Sequence, residues 1–479
     1  MPAVTTPHSL CRFGLAKADI TPPVGIYHRM WGAATHDRST GIHRPLEAAA
    51  MAWAPRDDTS GRPKFVLISM DHCLLWPPEM ESLKRTIHEA SGIAEQDFLI
   101  TFSHTHAAGL MDPSRSELPG GELIEPYLKR LSEVVGQLVN DAIAAMTPVA
   151  ITYGTGRCDL AQHRDLWDEA SQQFVCGYHP SGPVDDDVLV ARITDETGKP
   201  VASIVNYGCH PTTLAWDNTL ISPDYPGAMR EVVERSTGAP CVFLLSPCGD
   251  IGAKEGQQGD ATVADRNGRQ LGYAVLSALE ALPSPLTQFV YQGPVVSGAT
   301  LGDWRHESMS ETQRQRALDF SVRRVSIPLP YRPERPTVAQ LDAERAELLT
   351  AEKAAHQAGN SLRARDCRAM AERLTRAISK WSAAPPGDSY PYDVVLLKLG
   401  EAVWLMFEGE PYQRLQTELR RRFPERPLMM AVIGDGWRAS YLPARESYGH
   451  GIYQETVAIL ASGCLEQLIE GVTQEMQEI

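Results

Sequence analysis

The sequence predicts an α/β protein, a mixed β-sheet core flanked by helices with an inserted helical hairpin. Short apolar runs of strand length alternate with helix-length amphipathic stretches through the first half of the chain. Several runs end in polar or glycine-containing residues, as strands do at the functional rim of an α/β sheet. Apolar strands also return after an Ala-, Glu- and Arg-rich segment, which ties both halves into one domain spanning 1–479.

The elements follow in order. Lys64 to Met70 reads as a buried strand running into Asp71-His72, and a helix follows from about Pro78 to Ala90. A strand from Asp97 to Phe102 leads into Ser103-His104-Thr105-His106. An extended backbone sends alternate side chains to one face, so the spacing points His104 and His106 the same way. Leu123 to Met146 has helical periodicity, and Val149 to Tyr153 and Val188 to Thr194 are β-like. The turn at Asp195 to Pro200 precedes a strand from Val201 to Asn206, which runs into Tyr207-Gly208-Cys209-His210. Cys241 to Leu245 is a further buried strand, ending in Ser246-Pro247-Cys248-Gly249-Asp250. Thr337 to Trp381 contains no proline and turns at Gly359-Asn360, predicting an αα-hairpin inserted over 337–385, read as a charged scaffold. Strands then resume at Val394 to Leu399 and at Ala402 to Phe407, the latter ending in Glu408-Gly409-Glu410-Pro411.

Composition narrows the partners. A formal charge of -15 over 479 residues lacks the basic surface that nucleic acid or an anionic membrane demands. The nine cysteines are scattered without a Cys-x-x-Cys pair, which suits reduced thiols. The N-terminus lacks the charged start and apolar core of a signal peptide, and no stretch is apolar for long enough to span a bilayer. These features predict a cytoplasmic protein with a small-molecule substrate and no stable membrane association.

The strand ends carry the chemistry. His104-Thr105-His106, His210-Pro211-Thr212 and Glu410 each follow an apolar run, and in a shared sheet they converge on one rim. Imidazoles plus one carboxylate form a ligand set for catalytic zinc that leaves a position for water. Singly, each residue has a plainer reading. His210 is then a loop histidine bonded to backbone, Glu410 a carboxylate facing a helix dipole, and Asp250 an Asx-turn residue.

Lys17-Ala18-Asp19-Ile20-Thr21-Pro22, Gly41-Ile42-His43, Ser69-Met70-Asp71 and Ser103-His104-Thr105-His106 together resemble the catalytic N-terminal domain of the neutral/alkaline non-lysosomal ceramidases. The resemblance continues through Asn206 to Pro211, Ser222 to Gly227, Gly249-Asp250, Gly409-Glu410 and Tyr441 to Tyr453. It implies zinc-dependent hydrolysis of an N-acyl amide, with His104, His210, Glu410 and Tyr441 as metal ligands. Tyr441, in Tyr441-Leu442-Pro443-Ala444-Arg445-Glu446-Ser447-Tyr448, also corresponds to a catalytic donor to the oxyanion. His106 corresponds to a proton-transfer residue, Arg164 to a substrate-side arginine and Tyr453 to a further tyrosine of this segment. The chain departs from the family at Gly252, where ceramidases carry a serine, at Ala107-Ala108, and at His163-Arg164, where Arg164 follows His163 and an asparagine is usual. The resemblance stops short of the family's C-terminal immunoglobulin-like domain, which is expected to be missing here.

The expected function is therefore hydrolysis of a carbon–nitrogen amide bond in a small, soluble N-acyl substrate by zinc-activated water. The alternatives are a lipid-amide ceramidase, a two-metal phosphate or sulfate esterase using Asp71, Asp224 and Asp250, a thiol route through Cys248 or Cys209, and a ligand-binding relative without catalysis.

Overall fold

The computed structural model describes residues 2–436 and 438–479. Eight strands form the larger sheet: β1 (His8–Asp19), β2 (Glu47–Pro55), β3 (Phe65–Met70), β4 (Phe98–Phe102), β5 (Thr147–Arg157), β6 (Asp187–Thr194), β7 (Pro200–Tyr207) and β8 (Cys241–Leu245). Their spatial order is β8-β7-β6-β5-β1-β2-β3-β4. The outermost pairs, β7/β8 and β3/β4, are parallel, and every pairing between them is antiparallel. A second sheet runs β9 (Phe320–Pro330), β10 (Ser389–Leu399), β11 (Ala402–Phe407) and β12 (Leu428–Ala431), with only β11/β12 parallel.

Side-chain alternation sorts these strands into layers. Met51 and Trp53 of β2 and Trp404 and Met406 of β11 share a core between the two sheets. Ala48, Ala50 and Ala52 of β2 face the helices instead. The Trp53 and Trp404 rings meet edge-on across the sandwich at 5.4 Å. Helices α1 (Pro77–Ser91), α2 (Ile124–Ala144), α3 (Tyr225–Thr237) and α4 (Ala261–Glu280) cover the outer face of the larger sheet. Packing there is close: a Cβ at Gly14 would lie 2.0 Å from the Ala142 carbonyl oxygen of α2, so only glycine lets the helix settle on β1.

The ends of the larger sheet approach each other. Ser69 Oγ of β3 donates to Phe243 O of β8 at 3.0 Å, and Val432 N, just past β12, donates to Leu245 O at 3.1 Å. Asn206 Nδ2 of β7 donates to Leu244 O (2.9 Å) and Met430 O (2.6 Å), so β12 is stitched to the same corner. The exits of β4, β7 and β11 thus open onto one place although β4 and β7 lie far apart in the strand order.

Two helices, α5 (Val338–Gln357) and α6 (Ser361–Ala383), pack side by side across a three-residue turn. Thr337 and Gln340 form a reciprocal capping box at the start of α5, and the Asn360 side chain caps α6. α6 leans on the loop at Met30 to Gly32: Arg376 Nη2 donates to Met30 O at 2.6 Å, and Glu372 pairs with Arg115 at 2.5 Å. Beyond it, α7 (Arg414–Arg422) and α8 (Cys464–Gln477) pack together, with α8 resting on β9. No helix among the described residues is long and apolar enough to cross a membrane.

Candidate metal centre

Three loops build the site. β4 stops at Phe102, so the pleat does not extend to the two histidines as the spacing suggested. His104 instead takes a left-handed backbone with φ of 65°, a conformation that side chains other than glycine enter only when the surroundings enforce it. His210 lies beyond the end of β7 and bridges to Gly252. Glu410 follows β11 through Gly409, whose φ is 59° and where a Cβ would meet Ser440 O at 2.2 Å, so the turn requires glycine.

The ring orientations are determined by backbone carbonyls. His104 Nδ1 donates to Cys73 O at 2.7 Å, and His210 Nδ1 donates to Cys248 O at 2.8 Å. A carbonyl only accepts, so each Nδ1 carries the proton and each Nε2 faces inward. His210 Nε2 lies 2.9 Å, and His104 Nε2 3.4 Å, from Glu410 Oε2. All three residues are buried, and their donor atoms lie within 4.8 Å of one another. Cys73, His104 and His106 form an overlapping group.

Electrostatics asks for a cation here. Burial and the nearby Arg164 push the His210 imidazole down to about 4, so its Nε2 is a lone pair aimed at a carboxylate oxygen. Burial alone would raise the Glu410 carboxyl, but His104, with His210 beside it, holds it well below the usual carboxylate range. Burial likewise acts to lower His104, yet Cys73 and Glu410 outweigh it and hold the ring well above its ordinary value. Two inward nitrogens and a carboxylate oxygen suit a first-row divalent metal, which would take the place of the proton that His104 otherwise holds beside Glu410.

The other expected residues surround this group. The Tyr441 hydroxyl is 3.4 Å from His210 Nε2, and its ring stacks on that imidazole at an interplanar angle of 15°. Burial, with Glu410 adding, pushes the phenol well up, so it stays protonated. Arg164 Nη2 donates to the Tyr441 hydroxyl at 3.1 Å and to Gly249 O at 2.6 Å. His106 is half-buried with Nε2 3.4 Å from His104 Nε2, its ring 5.3 Å from that of Trp31. Burial and the other two histidines push it well below its ordinary value, so it is a free base. The Tyr453 ring lies 5.9 Å from that of Tyr441.

The aspartates of the two-metal reading have other partners. Asp71 pairs with Arg230 at 2.5 Å and accepts from Glu47 N. Asp224 caps α3 and accepts from Leu214 N, while Asp250 accepts from Gln413 N and Nε2. Among the described residues, neither donor group close enough to share an ion contains an aspartate. Burial pushes the Cys209 and Cys248 thiols well up, the opposite of what a nucleophile needs. At Gly252 a Cβ would touch only Thr212 Oγ1, at 3.9 Å, so the position has room for a side chain and supplies none.

A cavity of about 570 Å³ opens beside the centre, lined by Trp31, His106, Arg164, Tyr441 and Tyr453 and, on its far side, by α6. The hairpin read as a scaffold is therefore a wall of the site. Its contributors went unassigned because a charge-rich helix ordinarily faces solvent. Yet Arg373, Arg376, Ala377 and Lys380 recur at helical spacing and share one face, a signal the sequence does contain.

Residues 11–243 match the family model described as neutral/alkaline non-lysosomal ceramidase, N-terminal. The neutral ceramidase of Pseudomonas aeruginosa is 24% identical over 249 residues, covering 50% of this chain and 36% of that protein. Neutral ceramidase A of Dictyostelium discoideum is 27% identical over 229 residues, 45% of this chain and 30% of that protein. The matched stretch thus spans about a third of these curated relatives. The crystal structure of the P. aeruginosa neutral ceramidase superposes with a TM-score of 0.62 at 16% identity, over 98% of this chain and 73% of that one. A ceramidase complexed with C2 gives 0.61 at 14% identity, over 97% and 74%. Residues 11–243 thus belong to the neutral/alkaline non-lysosomal ceramidase family, and nearly the whole chain carries the fold of its solved members.

Proposed function

We propose that this protein hydrolyses the carbon–nitrogen bond of an N-acyl amide at a zinc ion held by His104, His210 and Glu410, with Tyr441 beside them. The observation that carries the reading is the pair of imidazoles locked through Nδ1 to the Cys73 and Cys248 carbonyls, both presenting Nε2 to Glu410. Zinc in such a set supplies Lewis-acid polarisation of a carbonyl and acidifies water. His106, neutral and facing the cavity, accepts a proton from the attacking water and returns it to the leaving amine. The Tyr441 hydroxyl donates to the developing oxyanion, and Arg164 holds it in place. Water is the nucleophile in this scheme, because Gly252 offers no side chain and the nearby thiols stay protonated.

The relatives bear the name ceramidase, which supports a lipid amide over the small, soluble one expected from the sequence. Trp31, Leu341, Leu374 and Trp381 give the cavity apolar wall for an acyl chain, and its volume is that of an ordinary small-molecule site. Elemental analysis of chelator-free protein should find about one zinc per chain, as a single three-ligand site holds one ion. His210→Ala should lose that zinc together with turnover of ceramide and N-acyl amino acids. Full hydrolysis by a zinc-free His210→Ala protein would refute the reading.

A further inference from the structure

The charge of the cavity is opposite to that of the chain. The protein carries a formal charge of -15. The cavity is nevertheless lined by Arg164, Lys254, Arg332, Arg373, Arg376 and Lys380, against one acid, Glu372. That acid is already engaged, by Arg115 at 2.5 Å and by Arg376 at 3.4 Å. Lys254 is held by Asp159 at 3.0 Å, which removes it from the count of available cations. Three of the arginines are less well matched. The Arg373 guanidinium makes no hydrogen bond or ion pair among the described residues. Arg332 spends Nη1 on the Ala458 and Glu455 carbonyls, and its buried Nε has no partner. Arg164 is 8% exposed, and its Nε is likewise buried without a partner.

Gathering like charges around a partly dry cavity is unfavourable unless a counter-charge arrives. A neutral amide bearing only hydroxyl groups would leave these guanidiniums unmatched, whereas planar forks of N–H donors fit the oxygens of a carboxylate or phosphate. A cleft lined by one sign of charge also raises the local concentration of the opposite sign. We propose that the substrate carries an anionic group, a carboxylate or a phosphate, received by Arg373 of α6 together with Arg332, which lines the same cavity. This rests on the amide-hydrolase reading only in taking the cavity as the substrate's. It turns the hairpin into the element that selects the substrate. An apolar acyl chain joined through an amide to an acidic amine fits both the apolar and the cationic walls.

Binding without turnover tests this. Keto acids of graded length contain no amide, so they occupy the cavity unhydrolysed, and keto alcohols of the same lengths are neutral controls. Calorimetric titration of the zinc-loaded protein should show at least one keto acid binding about tenfold or more tighter than its alcohol, the gain expected of one charge-assisted contact. Raising the salt concentration should erode that preference. The preference should fall to near parity in Arg373→Ala and in the Arg332→Ala/Arg373→Ala double variant. It should be largely kept in Arg373→Lys, and in Arg363→Ala at the exposed start of α6. Equal binding of acid and alcohol, no binding of any keto acid, or a preference that survives the double variant would each overturn the proposal. Loss of the preference in Arg363→Ala would do the same, since it would point to overall charge. A failure of amide hydrolysis would show in the zinc and turnover measurements instead, so the two readings fail separately.

Discussion

His104 shows how much a single residue concedes to the site. A left-handed backbone at a non-glycine position costs on the order of 1–3 kcal/mol, which the Cys73 carbonyl and the buried surroundings must offset. Tyr441 poses a sharper question of role, since a phenol 3.4 Å from His210 Nε2 can sit beside a metal or bind it. As an oxyanion donor, its replacement by phenylalanine should cut turnover by roughly 10²–10³-fold with zinc content unchanged. Loss of the zinc in Tyr441→Phe would make it a ligand. Asp71 belongs to structure rather than chemistry. It is 1% exposed and paired with Arg230, so Arg230→Met should destabilise the fold by about 3–5 kcal/mol in urea titrations by leaving a buried charge uncompensated. Metal content per folded molecule should not change.

At the scale of elements, α6 makes a demand that its sequence conceals. Lys380 is buried, with its ammonium on Ser440 Oγ at 3.2 Å and on the Val457 carbonyl. Burial pushes it from 10.5 down to about 7, with Glu410 opposing. Between those values the unfolded chain holds a proton that the folded protein has released, so stability rises with pH through that window. Below about pH 7 the folded state bears the whole burial penalty. Lys380→Met should therefore raise the melting temperature most near pH 6.5, with the gain shrinking towards pH 9.5 in calorimetric scans. Ser440 Oγ still donates to the Val457 carbonyl at 2.9 Å, so that acceptor stays satisfied in the variant. Strands buried on both faces were plain in the sequence. Cys241–Leu245 and Ala402–Phe407 stand where their apolar runs place them, and His104, His210 and Glu410 follow such runs. β2 was not legible, because Glu47–Pro55 is rich in alanine, a helix former, and becomes a strand only between β1 and β3. His106 reaches the centre for a reason the pleat did not supply, since its neighbour turns left-handed. The cationic face of α6 was hidden by its own composition.

At the scale of the molecule, the centre belongs to both sheets. His104 and His210 leave opposite ends of the larger sheet, and Glu410 leaves the smaller one. An ion held there, as proposed, ties the layers together, and its removal should lower the melting temperature. Binding at a thousandfold above the dissociation constant adds about 4 kcal/mol to unfolding. Dialysis against a chelator followed by calorimetry reads this directly, and restoring zinc should restore the transition. An identical transition with and without zinc would mean the ion is not bound in the native state.

The curl that brings Ser69 to Phe243 has a consequence for the order of assembly. Glu410 is 200 positions beyond His210 in the chain, and neither meets His104 until the larger sheet has bent and β12 has locked into its corner. The centre is thus among the last parts of the molecule to exist. A chain still emerging from the ribosome, or one cut before β11, lacks Glu410 and cannot complete this centre however much of its larger sheet has formed. Acquisition of metal would then report that both layers have been made and joined.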